Sequence, residues 1–230
     1  MSWGDRGWGD ELFRATLMTL AVAALAFLIG LVFGTAGAAA KLSRWRVARA
    51  AADGYTTVLR GVPDLLVIYL FYFGGSSVLM TIASMFGHTG FIGVDAFTTG
   101  AIAIAIINGA YSTEVIRGAV LAVPKGEIEA ARAVGMSDAL LFRRIMIPQV
   151  LRFALPGLGN VWQLALKETA LISVTGLVEI MRQSTIASGS TKKPFTFFAA
   201  AAVLYLILTT LSTWGFQRAE TWSARGVRRA

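Results

Sequence analysis

Two apolar runs of the sequence carry polar side chains of the kind that bind a solute. Asn108, Tyr111 and Glu114 lie in one, and Asn160, Gln163, Lys167 and Glu168 in the other. A charge at the centre of a membrane-spanning helix costs about 2.5 to 3.5 kcal/mol or more, so it calls for an ion pair, a watery cavity or a charged ligand. Carboxylates suit an ammonium or guanidinium group, and a lysine suits an anion. Arg117, three residues after Glu114, gives that carboxylate a local ion-pair partner. Lys167 and Glu168 are neighbours pointing about 100° apart on a helix, so each needs its own partner elsewhere. Enzymatic chemistry has little material. There is no cysteine, and the one histidine, His88, sits in a Gly-rich loop, so no thiolate, disulfide, His metal cluster or Ser-His-Asp arrangement is available. We therefore expect no catalytic residue and no metal site in this chain. Serine or acidic catalysis is the enzymatic alternative that remains.

The elements around these residues belong in lipid. The chain is 56% hydrophobic and only 15% charged, with a mean hydropathy of +0.65, which no ordinary soluble domain needs. Five stretches approach the roughly 20 apolar residues that cross a bilayer: 14–40, 63–86, 96–117, 152–178 and 194–217. The second ends in a turn marked by Gly87, His88, Gly90 and Gly93. Pro194 suits the first turn of the last helix. The first stretch is too long for a signal peptide and follows acidic rather than basic residues, so it is expected to be retained.

Lysine and arginine fix the expected orientation. They concentrate after the first span (Lys41 to Arg60), after the third (Arg117 to Arg152) and in the tail (Arg218 to Arg229), whereas the segment 87–95 has none. An all-α membrane protein with five transmembrane helices, a periplasmic N-terminus and a cytoplasmic C-terminus satisfies every segment. The net charge of +8 is thus a topology signal, and no nucleic-acid partner is expected.

The loop at 119–151 is too long for a simple turn. Ile128, Ala131, Val134, Leu140, Leu141 and Ile145 recur in it at near-helical spacing. Its centre reads Glu129-Ala130-Ala131, three residues, Gly135, nine residues, then Ile145-Met146-Ile147-Pro148. An amphipathic hairpin lying on the membrane is the plainer reading of such a segment. The full spacing, however, resembles the coupling motif of ABC importer permeases, E-A-A-x3-G-x9-I-x-L-P, with Ile147 in place of leucine. Small alanines let another surface approach closely, Gly135 ends or bends the helix, and Ser137 or Asp138 can cap the next one.

The strings Gly109-Ala110-Tyr111-Ser112-Thr113-Glu114, Val123-Pro124-Lys125-Gly126 and Leu166-Lys167-Glu168-Thr169 resemble the polar amino acid branch of that family. Ala39-Ala40-Lys41-Leu42-Ser43 and Arg60-Gly61-Val62-Pro63-Asp64-Leu65 are most similar to permeases for histidine, arginine, ornithine and opines. The resemblance covers nearly the whole of residues 1–230 as one transmembrane domain in the bacterial inner membrane. It implies a type I importer with a dimer of ATPase subunits that hold the ATP and Mg, a periplasmic substrate-binding protein, and a second permease chain, homologous or identical. No cofactor is implied in this chain. Glu129, Ala130, Ala131, Gly135, Met136, Arg143, Ile145 and Pro148 are the coupling residues that the resemblance implies. The polar residues of the third and fourth spans line the expected substrate pathway. A secondary carrier using Glu114, Lys167 and Glu168 as a proton relay is the alternative, but we detect no internal repeat of the kind carriers show.

Overall fold

The computed structural model describes residues 7–85 and 95–224 and is helical throughout. The turn expected at 87–94, His88, and the tail arginines Arg225, Arg228 and Arg229 lie outside the described residues. The first helix, α1 (Gly9–Leu42), is 34 residues long and apolar on every side. It buries a stripe of mostly small residues, Ala15, Thr19, Val22, Ala26, Gly30, Gly34 and Ala38, at intervals of three and four. The amphipathic α2 (Arg46–Gly61) follows, then α3 (Asp64–Tyr69), a π-helical turn (Leu70–Gly74) and α4 (Gly75–Met85). Val62 precedes Pro63 and is extended, at φ −98° and ψ 140°, as the proline ring requires of its neighbour. The chain bends there by 107°.

The central post is α5 (Ala96–Ala122). Ala101, Ile104, Ala105, Ile107, Asn108, Ala110, Ser112 and Thr113 are all fully buried on it. Asp95 caps its start, accepting from the Thr98 N–H at 2.9 Å and the Thr98 hydroxyl at 3.1 Å. After α5 come α6 (Lys125–Ala133), α7 (Asp138–Leu141), a π-helical turn (Phe142–Met146) and α8 (Ile147–Ile172), with Pro148 in its first turn. A 3₁₀ turn (Ser173–Thr175) and left-handed Gly176 lead to α9 (Ile180–Thr191) and the outer α10 (Pro194–Ser223).

The core lies where α1, α5 and α8 meet, with Ile68 of α3 closing one flank. Lipid cannot drive helices together as water does, so small residues and close van der Waals contact hold this core. A Cβ added at Gly34 would lie 2.4 Å from the Ser112 Cβ and 3.1 Å from the Ser112 backbone carbon, so α1 and α5 are as close as glycine allows. Buried Glu179 caps α9 by accepting from the N–H groups of Met181 (2.8 Å) and Arg182 (2.7 Å), and takes the Tyr205 hydroxyl at 3.0 Å. Thr19 accepts from the Ile180 N–H at 3.2 Å, which ties α9 to α1.

Among the described residues α1, α5 and α10 are each long and apolar enough to cross a membrane, and α2 with the segment from Asp64 to Gly74 passes the same test as a bent pair. The helices differ in detail from the spans read in the sequence. The fourth starts at Ile147 rather than 152 and stops at Ile172 rather than 178, because Pro148 begins a helix and Gly176 redirects the chain. The loop before it shortens to 123–146, since α5 continues to Ala122. Two helices were read only as connecting segments. In α2, buried Ala52 and Thr56 one turn apart, with Tyr55 and Leu59 beside them, are the helical signal. In α9 the signal is Glu179 ahead of Ile180, Ser184 and Ala187.

Candidate functional site

At mid-depth of the core, the Asn108 amide donates to the Glu168 Oε2 at 2.6 Å and to the Ile104 carbonyl at 3.0 Å. Both side chains are buried, at 0% and 3% exposure. Asp64, first residue of α3, lies near enough to Glu168 for the two carboxyls to act on each other. No cation pairs with either carboxyl among the described residues. Glu168 Oε1 and Asn108 Oδ1 are buried acceptors without a hydrogen-bond partner there, and an unmet buried acceptor costs roughly 1 to 3 kcal/mol. Two facing carboxyls repel unless a proton or another cation lies between them. Tyr111, one turn along α5 from Asn108, lies within electrostatic reach of Asp64, Glu168 and Arg60. The Arg60 guanidinium carbon stands 5.5 Å from the centre of its ring. The arrangement is a buried cluster of polar and acidic side chains, with an arginine over the neighbouring Tyr111 ring.

Glu114 belongs to a different cluster. Its carboxylate pairs with Lys41 at 2.5 Å and with Arg117 at 2.9 Å, and Lys41 also reaches Asp53 at 2.8 Å. The chain therefore satisfies Glu114 internally. This network and Arg60 line a cavity of about 770 Å³ between α1, α2 and α5. The Tyr55 hydroxyl fixes α2 to the central post by donating to the Ile106 carbonyl at 2.6 Å.

The remaining polar residues scatter. Gln163 turns to α10 and donates to the Thr209 carbonyl at 3.2 Å and the Thr213 hydroxyl at 3.1 Å. Asn160 is exposed. Lys167 is exposed beside a mostly apolar hollow that includes Phe198, Tyr205 and Leu206, and has no hydrogen bond or ion pair among the described residues. The fold thus joins Asn108 to Glu168, with Tyr111 one turn away in the wall of the cavity that Glu114 also lines, and places Asn160, Gln163 and Lys167 elsewhere. Asp64 and Arg60 complete the group. The sequence signal for Asp64 is a lone carboxylate at the head of an apolar run, directly after Pro63.

In the segment after α5, Gly135 ends one helix and Ser137 caps the next. The Gly135 N–H bonds the Arg132 carbonyl at 2.9 Å, the Met136 N–H bonds the Ala131 carbonyl at 3.1 Å, and Gly135 has φ +79°. This is a Schellman stop, for which glycine is suited. Ser137 caps α7 by accepting from the Leu140 N–H at 3.4 Å. Glu129, Ala130 and Arg143 are exposed, Met136 and Ile145 are half-buried, and Val134 and Phe142 present apolar side chains outward. Gln149 hydrogen-bonds Glu127, tying α6 to the start of α8.

Residues 26–221 match the family model described as the binding-protein-dependent transport system inner membrane component. The chain belongs to this family. It is the inner-membrane permease subunit of an ABC importer, a transport component rather than an enzyme, and such permeases work with an ATPase and a binding protein. Along its whole length the permease is similar to the octopine transport system permease protein OccQ of Rhizobium radiobacter, with 61% identity over 100% of this chain and 97% of the relative. The nopaline transport system permease protein NocQ of Agrobacterium fabrum is 56% identical over 99% and 97%. The histidine/lysine/arginine/ornithine transport system permease protein HisQ of Escherichia coli is 41% identical over 97% and 98%. Among solved structures, an amino acid ABC transporter crystallised with histidines superposes at a TM-score of 0.79, with 32% identity over 96% of this chain and 99% of that one.

Proposed function

We propose that this permease carries guanidinium-bearing amino acid derivatives, opines of the octopine and nopaline kind and arginine itself, with the cationic end held at Glu168, Asp64 and Asn108. The observation that carries the reading is the buried Glu168 carboxyl. Its Oε1 is unpartnered, it faces a second carboxyl, and no cation of the described chain neutralises it. A transiting guanidinium would meet two acidic groups and the Asn108 Oδ1 acceptor at once. The names of the similar permeases agree, since octopine and nopaline are arginine derivatives.

The importer would hold this chain beside a second permease chain, homologous or identical, above a dimer of ATPase subunits that bind ATP and Mg. A periplasmic binding protein would deliver substrate from outside. Five transmembrane helices with a periplasmic N-terminus fit the distribution of lysine and arginine. Glu129 to Pro148 would then dock on the ATPase.

Uptake of radiolabelled octopine and arginine by cells carrying the whole importer tests the site. Glu168→Gln should lower uptake by roughly tenfold or more, while complex yield and basal ATP hydrolysis stay close to wild type. Normal uptake kinetics in a stable Glu168→Gln complex would remove Glu168 from the substrate path. Loss of the complex itself, whatever the substrate, would mark a structural role instead.

A further inference from the structure

The proposed site explains one end of the substrate, and every candidate ligand above has another. Arginine carries a carboxylate, and the opines carry more than one. Cations line the cavity that has Tyr111 in its wall, and they differ in how far they are already engaged. Lys41 is held between Glu114 and Asp53, and Arg117 is held by Glu114. Arg49 donates to the Ser43 carbonyl at 3.2 Å. Arg60 makes no hydrogen bond or ion pair among the described residues, and its guanidinium lies over Tyr111 at the cavity wall. Tyr111 in turn lies within the fields of both Asp64 and Glu168. A stacked guanidinium keeps its N–H edges available while its position is fixed, which suits a planar carboxylate.

Resting on the guanidinium site proposed above, we infer that Arg60 binds the carboxylate end of the substrate, so that a two-ended ligand lies along Tyr111 between Arg60 and the Asp64–Glu168 pair. Arg60 thereby selects amino acids and opines over simple guanidinium compounds. A ligand with only a cationic end would leave Arg60 unengaged over Tyr111 and gain nothing from it. A ligand with both ends satisfies the unpartnered acceptors and the unengaged arginine together. The inference differs from a role for Arg60 in stability alone, because it makes the effect of the residue depend on the ligand.

The test is equilibrium binding to the intact importer in lipid nanodiscs without its binding protein, with tritiated arginine as probe. The competitors are unlabelled arginine, octopine and agmatine, which is arginine without the carboxylate. In the wild-type complex arginine and octopine should compete better than agmatine. Arg60→Gln should weaken arginine and octopine by roughly tenfold to a hundredfold, as expected for a lost charge-assisted hydrogen bond, and leave agmatine within about twofold. Arg60→Lys keeps the charge without the planar fork and should fall between, which guards against a folding defect in the glutamine variant. Glu168→Gln should weaken all three ligands together. Equal effects of Arg60→Gln on arginine and agmatine, or none on either, would overturn the role of Arg60. Indifference of every ligand to Glu168→Gln would instead overturn the guanidinium site.

Discussion

A single glycine sets how the chain leaves α6 and turns into α7. Gly135 holds φ +79° at the end of α6, and nothing lies within 4 Å of a Cβ added there. The obstacle to substitution is therefore backbone strain alone, about 1 to 2 kcal/mol for an ordinary side chain and more for a β-branched one. We expect Gly135→Val to insert and assemble yet lose most substrate-stimulated ATP hydrolysis and uptake, as measured on the purified complex. Full coupling in that variant would contradict the assignment of this loop. Gly135 was legible in the sequence because a stop signal and a spacing coincide there. The partnership of Asn108 and Glu168 was not, since sixty residues separate them and only the packing of α5 on α8 brings them together. Glu114 read as a candidate for the substrate pathway with Arg117 as its local partner, and the structure adds Lys41, from a different helix, to that pairing.

Among the elements, the seam between α1 and α5 is the most exacting. At Gly34 the obstruction includes the Ser112 backbone, so a side chain cannot be accommodated by rotating a neighbour. Gly34→Leu should push the two helices apart and lower the thermal midpoint and yield of the detergent-purified complex, at a cost of about 1 to 3 kcal/mol. Gly118→Ala is the matched control, because an added Cβ there meets nothing within 4 Å. A tolerated leucine would mean that the helices are looser than drawn. Long apolar helices such as α1 and α10 were legible from hydropathy alone. By contrast α2 and α9 passed as loops, because their periodicity involves threonine, serine and small residues rather than a continuous apolar run.

At the scale of the whole molecule, charge and exposure point to an assembly. Almost all of α10 turns outward, with Val203, Leu206, Leu211 and Trp214 exposed, which suits contact with lipid. The orientation drawn from lysine and arginine can be tested in this cysteine-free chain. Cysteines introduced at Ser137 and Gly90 should react with a membrane-impermeant maleimide from opposite sides, Gly90 in intact spheroplasts and Ser137 only after lysis. Labelling of both in intact spheroplasts would refute the five-span arrangement. The all-helical membrane class and the family were legible because long apolar runs and the spacing from Glu129 to Pro148 each mark the chain. The cluster around Glu168 was less so, because it draws single residues from α2, α3, α5 and α8.

The bend at Val62 and Pro63 has a mechanical consequence. Arg60 stands on one arm of that elbow and Asp64 on the other, while α1 and α5 are locked together beside it. On the two-ended site proposed above, the elbow angle would act as a caliper, setting the gap between the positive jaw and the negative one. A change of a few degrees would shift the length of molecule the jaws fit, so opening the joint would loosen the grip on cargo without altering any residue that touches it.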